Sequence, residues 1–392
     1  MSSAMLIGLC AAGVPAKVIA ATEHWNDASA SATQWNQWKN NWNTYSSNYE
    51  HVSLTPGADQ TQLNLAWYSH TTETPAVRIA TKQNMDGAKE FVGTQTEAVT
   101  IDGVKYFSNK ATVKGLKENT KYYYQVFQNG KWQDAETYTT KSFDSFSFLY
   151  VGDPQIGASK NQTSTEQEKM VSAGNEVSSA AKDNLAARND GYNWNNILND
   201  AVKDHEDVSF IVSAGDQVNA GKNEREYAAY LGADALASLP VATTIGNHDS
   251  VSNQYTLHFN NPNAFSDKDA NYIQGKTEAG TDYYYRYGNT LFMVLDTNNY
   301  NCATHENVMK KAISENKDAK WRIVVFHQDI YGSGYDHSDS DGMVLRTQLT
   351  PLMDKYDVDV VLQGHDHTYS RTYQLQGDGK SHTAYGKDVD MK

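Results

Sequence analysis

Two different periods of hydrophobic recurrence divide the chain. From His51 to about Thr140, apolar and polar residues alternate with a period of two in LNLAWYS (63–69), AVRIATK (76–82), YFSNKATV (106–113) and KYYYQVFQ (121–128). Turn pairs such as Asp102-Gly103 and Asn129-Gly130 separate these runs. Short alternating strands at this spacing predict an all-β sandwich over 51–141, and no catalytic constellation lies within it. Beyond Lys141 the pattern becomes short continuous apolar runs: FSFLYV (146–151), VSFIVSA (208–214), PVATTI (240–245), TLFMVL (290–295), RIVVF (322–326) and VDVVLQ (358–363). Between several of them lie segments of helical character, near 165–187, 193–203, 223–237, 304–315 and 343–356. Strand–helix alternation predicts a layered α/β domain over 142–392. Ahead of both, in an Asn-rich segment (22–50), Trp35, Trp38 and Trp42 recur at helical spacing. They predict a short helix whose aromatic stripe packs on a neighbouring domain; a sugar-stacking platform is the other use of such a stripe.

Length and charge narrow the function. At about 150 residues per domain, 392 residues make two or three domains. The formal charge is −14 and no Lys/Arg run interrupts it, so general nucleic-acid binding is excluded. An anionic substrate would need positive potential from a source other than side chains. The 25 Tyr and 8 Trp argue against disorder. Cys10 and Cys302 cannot build a disulfide framework. Residues 4–21 are small and apolar and end in Ile19-Ala20-Ala21, which reads as a signal peptide over 1–21 and hence a secreted or cell-surface protein. A buried N-terminal helix is the competing reading. No long apolar run follows residue 22, so a membrane span is not expected.

The chemistry is concentrated just after the apolar runs. FLYV leads into Gly152-Asp153-Pro154-Gln155, IVSA into Gly215-Asp216-Gln217-Val218-Asn219, and TTI into Gly246-Asn247-His248-Asp249. IVVF leads into His327-Gln328-Asp329, and VVLQ into Gly364-His365-Asp366-His367. Open α/β sheets build their sites beyond the carboxyl ends of strands. Singly, a Gly-Asp or a lone His there is a turn or a rim residue; five in order are a site. Carboxylate, amide and imidazole without thiolate suit Fe, Zn or Mn. There are donors enough for two ions, which would supply the positive potential that an acidic chain lacks.

This ordered set resembles the calcineurin-like metallophosphoesterase superfamily. With the sandwich in front, whose segment Leu116–Val126 resembles the tyrosine corner of a fibronectin type III domain, the chain is similar to bacterial relatives of purple acid phosphatases. The resemblance implies two mixed sheets flanked by helices, preceded by a fibronectin type III-like (Ig-like) sandwich. It also implies hydrolysis of phosphate mono- or diesters by a metal-activated hydroxide at a dinuclear site. Asp153 and His367 would hold one metal, Asp216 would bridge, and Asn247, His327 and His365 would hold the other. His248 would contact the phosphate or protonate the leaving oxygen. His337, in the loop YGSGYDHSDSDG, is a candidate substrate-facing residue, with a solvated loop histidine as the equal alternative. Arg346 is expected to serve its own helix. His24, His51, His70, His205, His258, His305 and His382 match no motif and read as structural or surface residues.

Three departures from the family pattern bear on the site. Gln155 stands where the opening motif has His, which would weaken the first metal position. Asn219 stands where purple acid phosphatases have an iron-bound Tyr, so a protein that is not purple even with iron bound is expected, and where other members have an Asp that orients the GNHD histidine. Gln155 and Asn219 are therefore left between ligand and supporting roles. The chain ends 25 residues after His367, where family members continue, so a C-terminal truncation is expected. The departures motivate a rival function, a non-catalytic extracellular binding protein with a degenerate site. A one-metal hydrolase of another ester is a third.

Overall fold

The structure is a computed structural model that describes residues 32–161, 177–334, 337–372 and 375. The segment 1–21 read as a signal lies outside them. The chain opens with helix α1 (Ala32–Ser46). Its stripe of Trp35, Trp38 and Trp42 is buried against α2 (Ser179–Asp204). The indole N–H of Trp38 donates to the Arg188 carbonyl at 2.8 Å and that of Trp42 to Asn184 Oδ1 at 2.9 Å. Buried indoles need such partners. The stripe is thus covered by the neighbouring domain, as the helical reading expected, and offers no open platform.

Residues 53–139 form two antiparallel sheets. One has the order β1 (Ser53–Pro56), β2 (Gln62–Ser69), β6 (Val104–Lys114), β5 (Thr94–Ile101). The other has β4 (Lys89–Val92), β3 (Ala76–Ala80) and β7 (Lys121–Gln128), with β8 (Lys131–Trp132) and β9 (Glu136–Thr139) both pairing β7. Alternate residues of both, among them Leu63, Leu65, Val77, Ile79 and Tyr124, fill one core. The two Asx-Gly pairs close hairpins with positive φ at both positions, 49° and 80° at Asp102-Gly103, 53° and 76° at Asn129-Gly130. That is the I′ geometry which matches strand twist. The Tyr122 hydroxyl accepts from the Lys117 N–H at 2.8 Å, closing the corner that the sequence suggested.

The second domain packs two sheets face to face. β10 (Ser147–Val151), β11 (Val208–Ser213) and β12 (Val241–Ala242) are parallel. β13 (Tyr283–Tyr287) runs antiparallel to β14 (Thr290–Leu295), which is parallel to β15 (Trp321–Phe326) and β16 (Val360–Leu362) in turn. Phe210, Val212, Tyr285, Phe292 and Val325 share the core between them. Helices α2 and α3 (Glu224–Leu231) share one outer core with α1, while α5 (Cys302–Glu315) and α6 (Asp341–Lys355) pack in the other. The two helices expected over 165–203 are one, α2, within the described residues. PVATTI yields only the two residues of β12, because the Thr243 carbonyl beyond it accepts the hydroxyls of Tyr255 and Tyr283. β13 went unread because YYYRY shows no alternation.

The domains meet along a sealed seam. The His258 ring, on the short helix α4 (Gln254–His258), stacks at 4.4 Å on both Tyr68 of β2 and Tyr227 of α3, and its Nε2 lies 2.7 Å from Glu224 Oε2. Ser53 and Ser108 donate their hydroxyls to the His258 and Leu257 carbonyls at 2.5 and 2.6 Å, and Lys110 donates to that of Thr256. No described helix is long and apolar enough to cross a membrane.

Candidate metal centre

Five strand ends converge. β10, β11 and β12 of one sheet lead to Asp153, Asp216 and Asn247-His248; β15 and β16 of the other lead to His327 and to His365 and His367. The turns that aim these side chains are tight. Asp153, Gln155, Asp216, His365 and His367 all have φ between 38° and 74°, a left-handed conformation that costs energy in residues with a Cβ. Gly246 is required for close approach, since a Cβ there would lie 2.0 Å from Asp216 Oδ1. Asp249, buried, ties the turns together by accepting from the backbone N–H of Gly246 at 2.9 Å and of Gln217 at 3.2 Å.

The convergence is one of lone pairs. His327 Nδ1 lies 2.9 Å from the Ala214 carbonyl, which can only accept, so Nδ1 carries a proton and Nε2 is the nitrogen left to face a cation. Nε2 then presents its lone pair 2.8 Å from Asn247 Oδ1, 3.1 Å from His365 Nδ1 and 3.4 Å from Asp216 Oδ2. Donor atoms of Asp216, His327 and His365 all lie within 4.8 Å of one another. Fixing one imidazole nitrogen on a carbonyl so that the other faces a cation is how metal-binding histidines are oriented. Beside this group, Asp153 Oδ1 lies 3.7 Å from His367 Nε2, and both Asp153 oxygens accept the His365 N–H at 3.0 Å.

The electrostatics fit a cation. Burial raises the Asp153 carboxyl above the ordinary range; the His327 ring opposes this and the Asp216 charge adds to it. Burial, with the His327 and His337 rings, lowers His365 to about 4, which keeps its imidazole neutral and one ring nitrogen free to bind a cation. Neutral imidazoles and crowded carboxylates are the states that metal binding stabilises.

Other candidates take different positions. Gln155 turns to His248, its Nε2 lying 2.8 Å from His248 Nε2 and 3.5 Å from Asn219 Oδ1. His248 Nδ1 donates to the backbone carbonyl of Asn219 at 2.6 Å, so Asn219 orients that ring through its main chain. His337 stacks on His365 with ring centroids 3.8 Å apart. Arg346 donates to the Ile330 carbonyl at 2.7 Å and serves the α6 packing. Two residues that the sequence left without a role are also here: Asp341, whose Oδ2 lies 3.6 Å from His365 Nε2, and Asp366. Asp366 had a signal in its place between the two histidines of the last cluster; Asp341 had none.

Comparison with known proteins follows the same division of the chain. The family model for calcineurin-like phosphoesterases matches residues 146–369, and that for the purple acid phosphatase N-terminal domain matches 49–140. Two uncharacterised proteins of Mycobacterium tuberculosis, MT2654 and Rv2577, are each 37% identical over 57 residues, 14% of this chain and 11% of theirs. The chain thus spans about a tenth of the length of these curated relatives. The purple acid phosphatase PPD1 of yellow lupin (Lupinus luteus) seeds superposes with a TM-score of 0.57 at 15% identity, over 81% of this chain and 58% of that one. A PhoD structure aligns at 0.47 and 12% identity, over 81% of this chain and 72% of that one.

Proposed function

Because the chain belongs to the calcineurin-like phosphoesterase family, whose model matches residues 146–369, we propose that it hydrolyses small phosphate mono- or diesters at a two-ion centre. The observation that carries this reading is the set of lone pairs around His327 Nε2, which face one another with a cation as their natural partner. Asp153 and His367 would hold one ion, Asp216 would lie between, and Asn247, His327 and His365 would hold the other. When bound, such ions make a nucleophile from water at neutral pH and offset the phosphate charge. The chain's own residues do the rest. Ala214 keeps His327 in the ligating tautomer, and Asn219 fixes the His248 ring through Nδ1. Because Nδ1 donates to Asn219 and the Gln155 amide faces Nε2, His248 would give a leaving oxygen a proton from Nε2 only after Nε2 has taken one up from solvent. Substrate entry would displace that amide. Export to the cell surface or medium is part of the proposal and is supported by the apolar segment 4–21.

The test is metal content by mass spectrometry together with turnover of p-nitrophenyl phosphate and bis-p-nitrophenyl phosphate, for the wild type and Asp216→Asn. About two ions per chain, with turnover lost in the variant, is the expected result, and the preferred ester sets the substrate class. The Gln155–His248 contact favours one rival, a binding protein with a degenerate site. One ion or none, with neither ester turned over in added Zn, Mn or Fe, would put that rival first.

A further inference from the structure

The centre is bordered by stretches fastened to one another, 331–334 and 337–338 on one side and 364–370 on the other, and the fastening converges on the Asp366 carboxylate. Asp366 Oδ1 lies 2.9 Å from His337 Nδ1, and Oδ2 accepts the Gly334 N–H at 2.5 Å. The loop backbone is laid directly on this group: a Cβ at Gly332 would fall 2.0 Å from Oδ2 and one at Gly334 2.4 Å from Oδ1. Alongside, the Ser333 hydroxyl lies 2.6 Å from that of Ser370 and 3.2 Å from that of Thr368. The Asp366 side chain is 1% exposed, whereas that of His337 is 42% exposed.

We propose that Asp366 is a positioning residue that holds His337 as a substrate contact. The carboxylate fixes Nδ1, and stacking on His365 fixes the plane of the ring. Nε2, which has no partner among the described residues, is left at the exposed edge, available to a phosphate oxygen. A side chain held in this way does not lose rotamer freedom when substrate binds, so its loss weakens binding more than its distance from the reacting atoms suggests. Asp366 thereby joins the metal-ligand loop to the substrate loop, although it ligates nothing itself. This deepens the phosphoesterase reading and rests on it.

The experiment compares full-length wild type, Asp366→Ala, Asp366→Asn, His337→Ala and the double variant Asp366→Ala/His337→Ala, all loaded with metal. Three readouts are taken: bound metal, KM and kcat for p-nitrophenyl phosphate, and inorganic phosphate affinity by calorimetry. Asp366→Ala and His337→Ala should each raise KM and the phosphate Kd by about tenfold, with metal content and kcat little changed. The double variant should lose no more than either single one, the mark of two residues acting as a unit. Asp366→Asn, which still offers an oxygen to Nδ1, should recover most of the affinity. Additive losses, loss of metal in Asp366→Ala, or phosphate affinity equal to wild type would each overturn the clamp. Phosphate binding that follows the expected series without turnover in the wild type would count against hydrolysis alone. Wild type that binds no phosphate would overturn both.

Discussion

Replacing Asp282 by Ala should destabilise the fold far more than replacing it by Asn, which should mainly flatten the pH dependence. His305 is fully buried, with Nδ1 2.7 Å from Asp282 Oδ2 and Nε2 2.8 Å from the Asn299 carbonyl. A carbonyl only accepts and an ionised carboxylate only accepts, so both ring nitrogens donate and the ring is an imidazolium. Burial lowers its pKa, but the Asp282 charge, the hydrogen bond to it and the Asn299 carbonyl together raise it above the usual value. A raised pKa stabilises the fold fully below the unfolded value near 6.5, and that stability is lost as pH rises through the folded value. Asp282→Ala strands the imidazolium and also removes the acceptor for the Asp296 N–H, 2.7 Å from Asp282 Oδ1. Breaking a buried pair costs about 3–5 kcal/mol, which lowers the melting temperature of a domain of this size by about 6 to 20 °C. Asp282→Asn keeps every partner, because a neutral His305 can accept at Nδ1 from the new amide. It should cost only about 1 kcal/mol and flatten the pH profile. The assay is thermal unfolding by circular dichroism between about pH 6 and pH 9. Parallel profiles for wild type and Asp282→Asn, or an Asp282→Ala cost under about 1 kcal/mol, would refute the imidazolium.

Three further outcomes follow from the geometry. Gly246→Ala drives a methyl to within 2.0 Å of Asp216 Oδ1, and mass spectrometry should show a loss of about one ion per chain. Gln155→His would place an imidazole at the position proposed for the first metal and remove the amide from His248; competition with a chelator should show tighter binding by about tenfold or more. Tyr122→Phe removes the acceptor of the Lys117 N–H and should cost the sandwich about 1 kcal/mol in urea unfolding, with ester turnover unchanged.

The strand ends and their clusters were legible in the sequence because both are local: an apolar run and the few residues after it. The same holds for α1, whose three tryptophans carry the helical period by themselves. What escaped the sequence depends on distant partners. Nδ1 of His327 is fixed by Ala214, the ring of His248 is held by Gln155 and the main chain of Asn219, and the role of Asp366 emerges only when Gly332, Gly334 and His337 come to lie on it. His305 and Asp282 sit 23 residues apart with no motif between them, so nothing local marks them as a buried ion pair. Left-handed backbone at Asp153, Asp216, His365 and His367 is similarly silent in side-chain identity, because these are not the glycines that usually announce it.

The seam around His258 bears on how the molecule can be divided. A fragment starting near residue 142 would bring into water the face of the His258 ring that Tyr68 covers and the Glu224 carboxylate that the Tyr68 hydroxyl reaches, and would leave the carbonyls of Thr256, Leu257 and His258 without their hydroxyl and ammonium donors. The cut sandwich would bare Tyr68 and the Lys110 ammonium, whose pKa burial lowers to about 8. Neither half is a ready-made unit for expression or for grafting onto another enzyme. The β-rich half is part of the wall that holds α4, which begins six residues beyond His248, in its place.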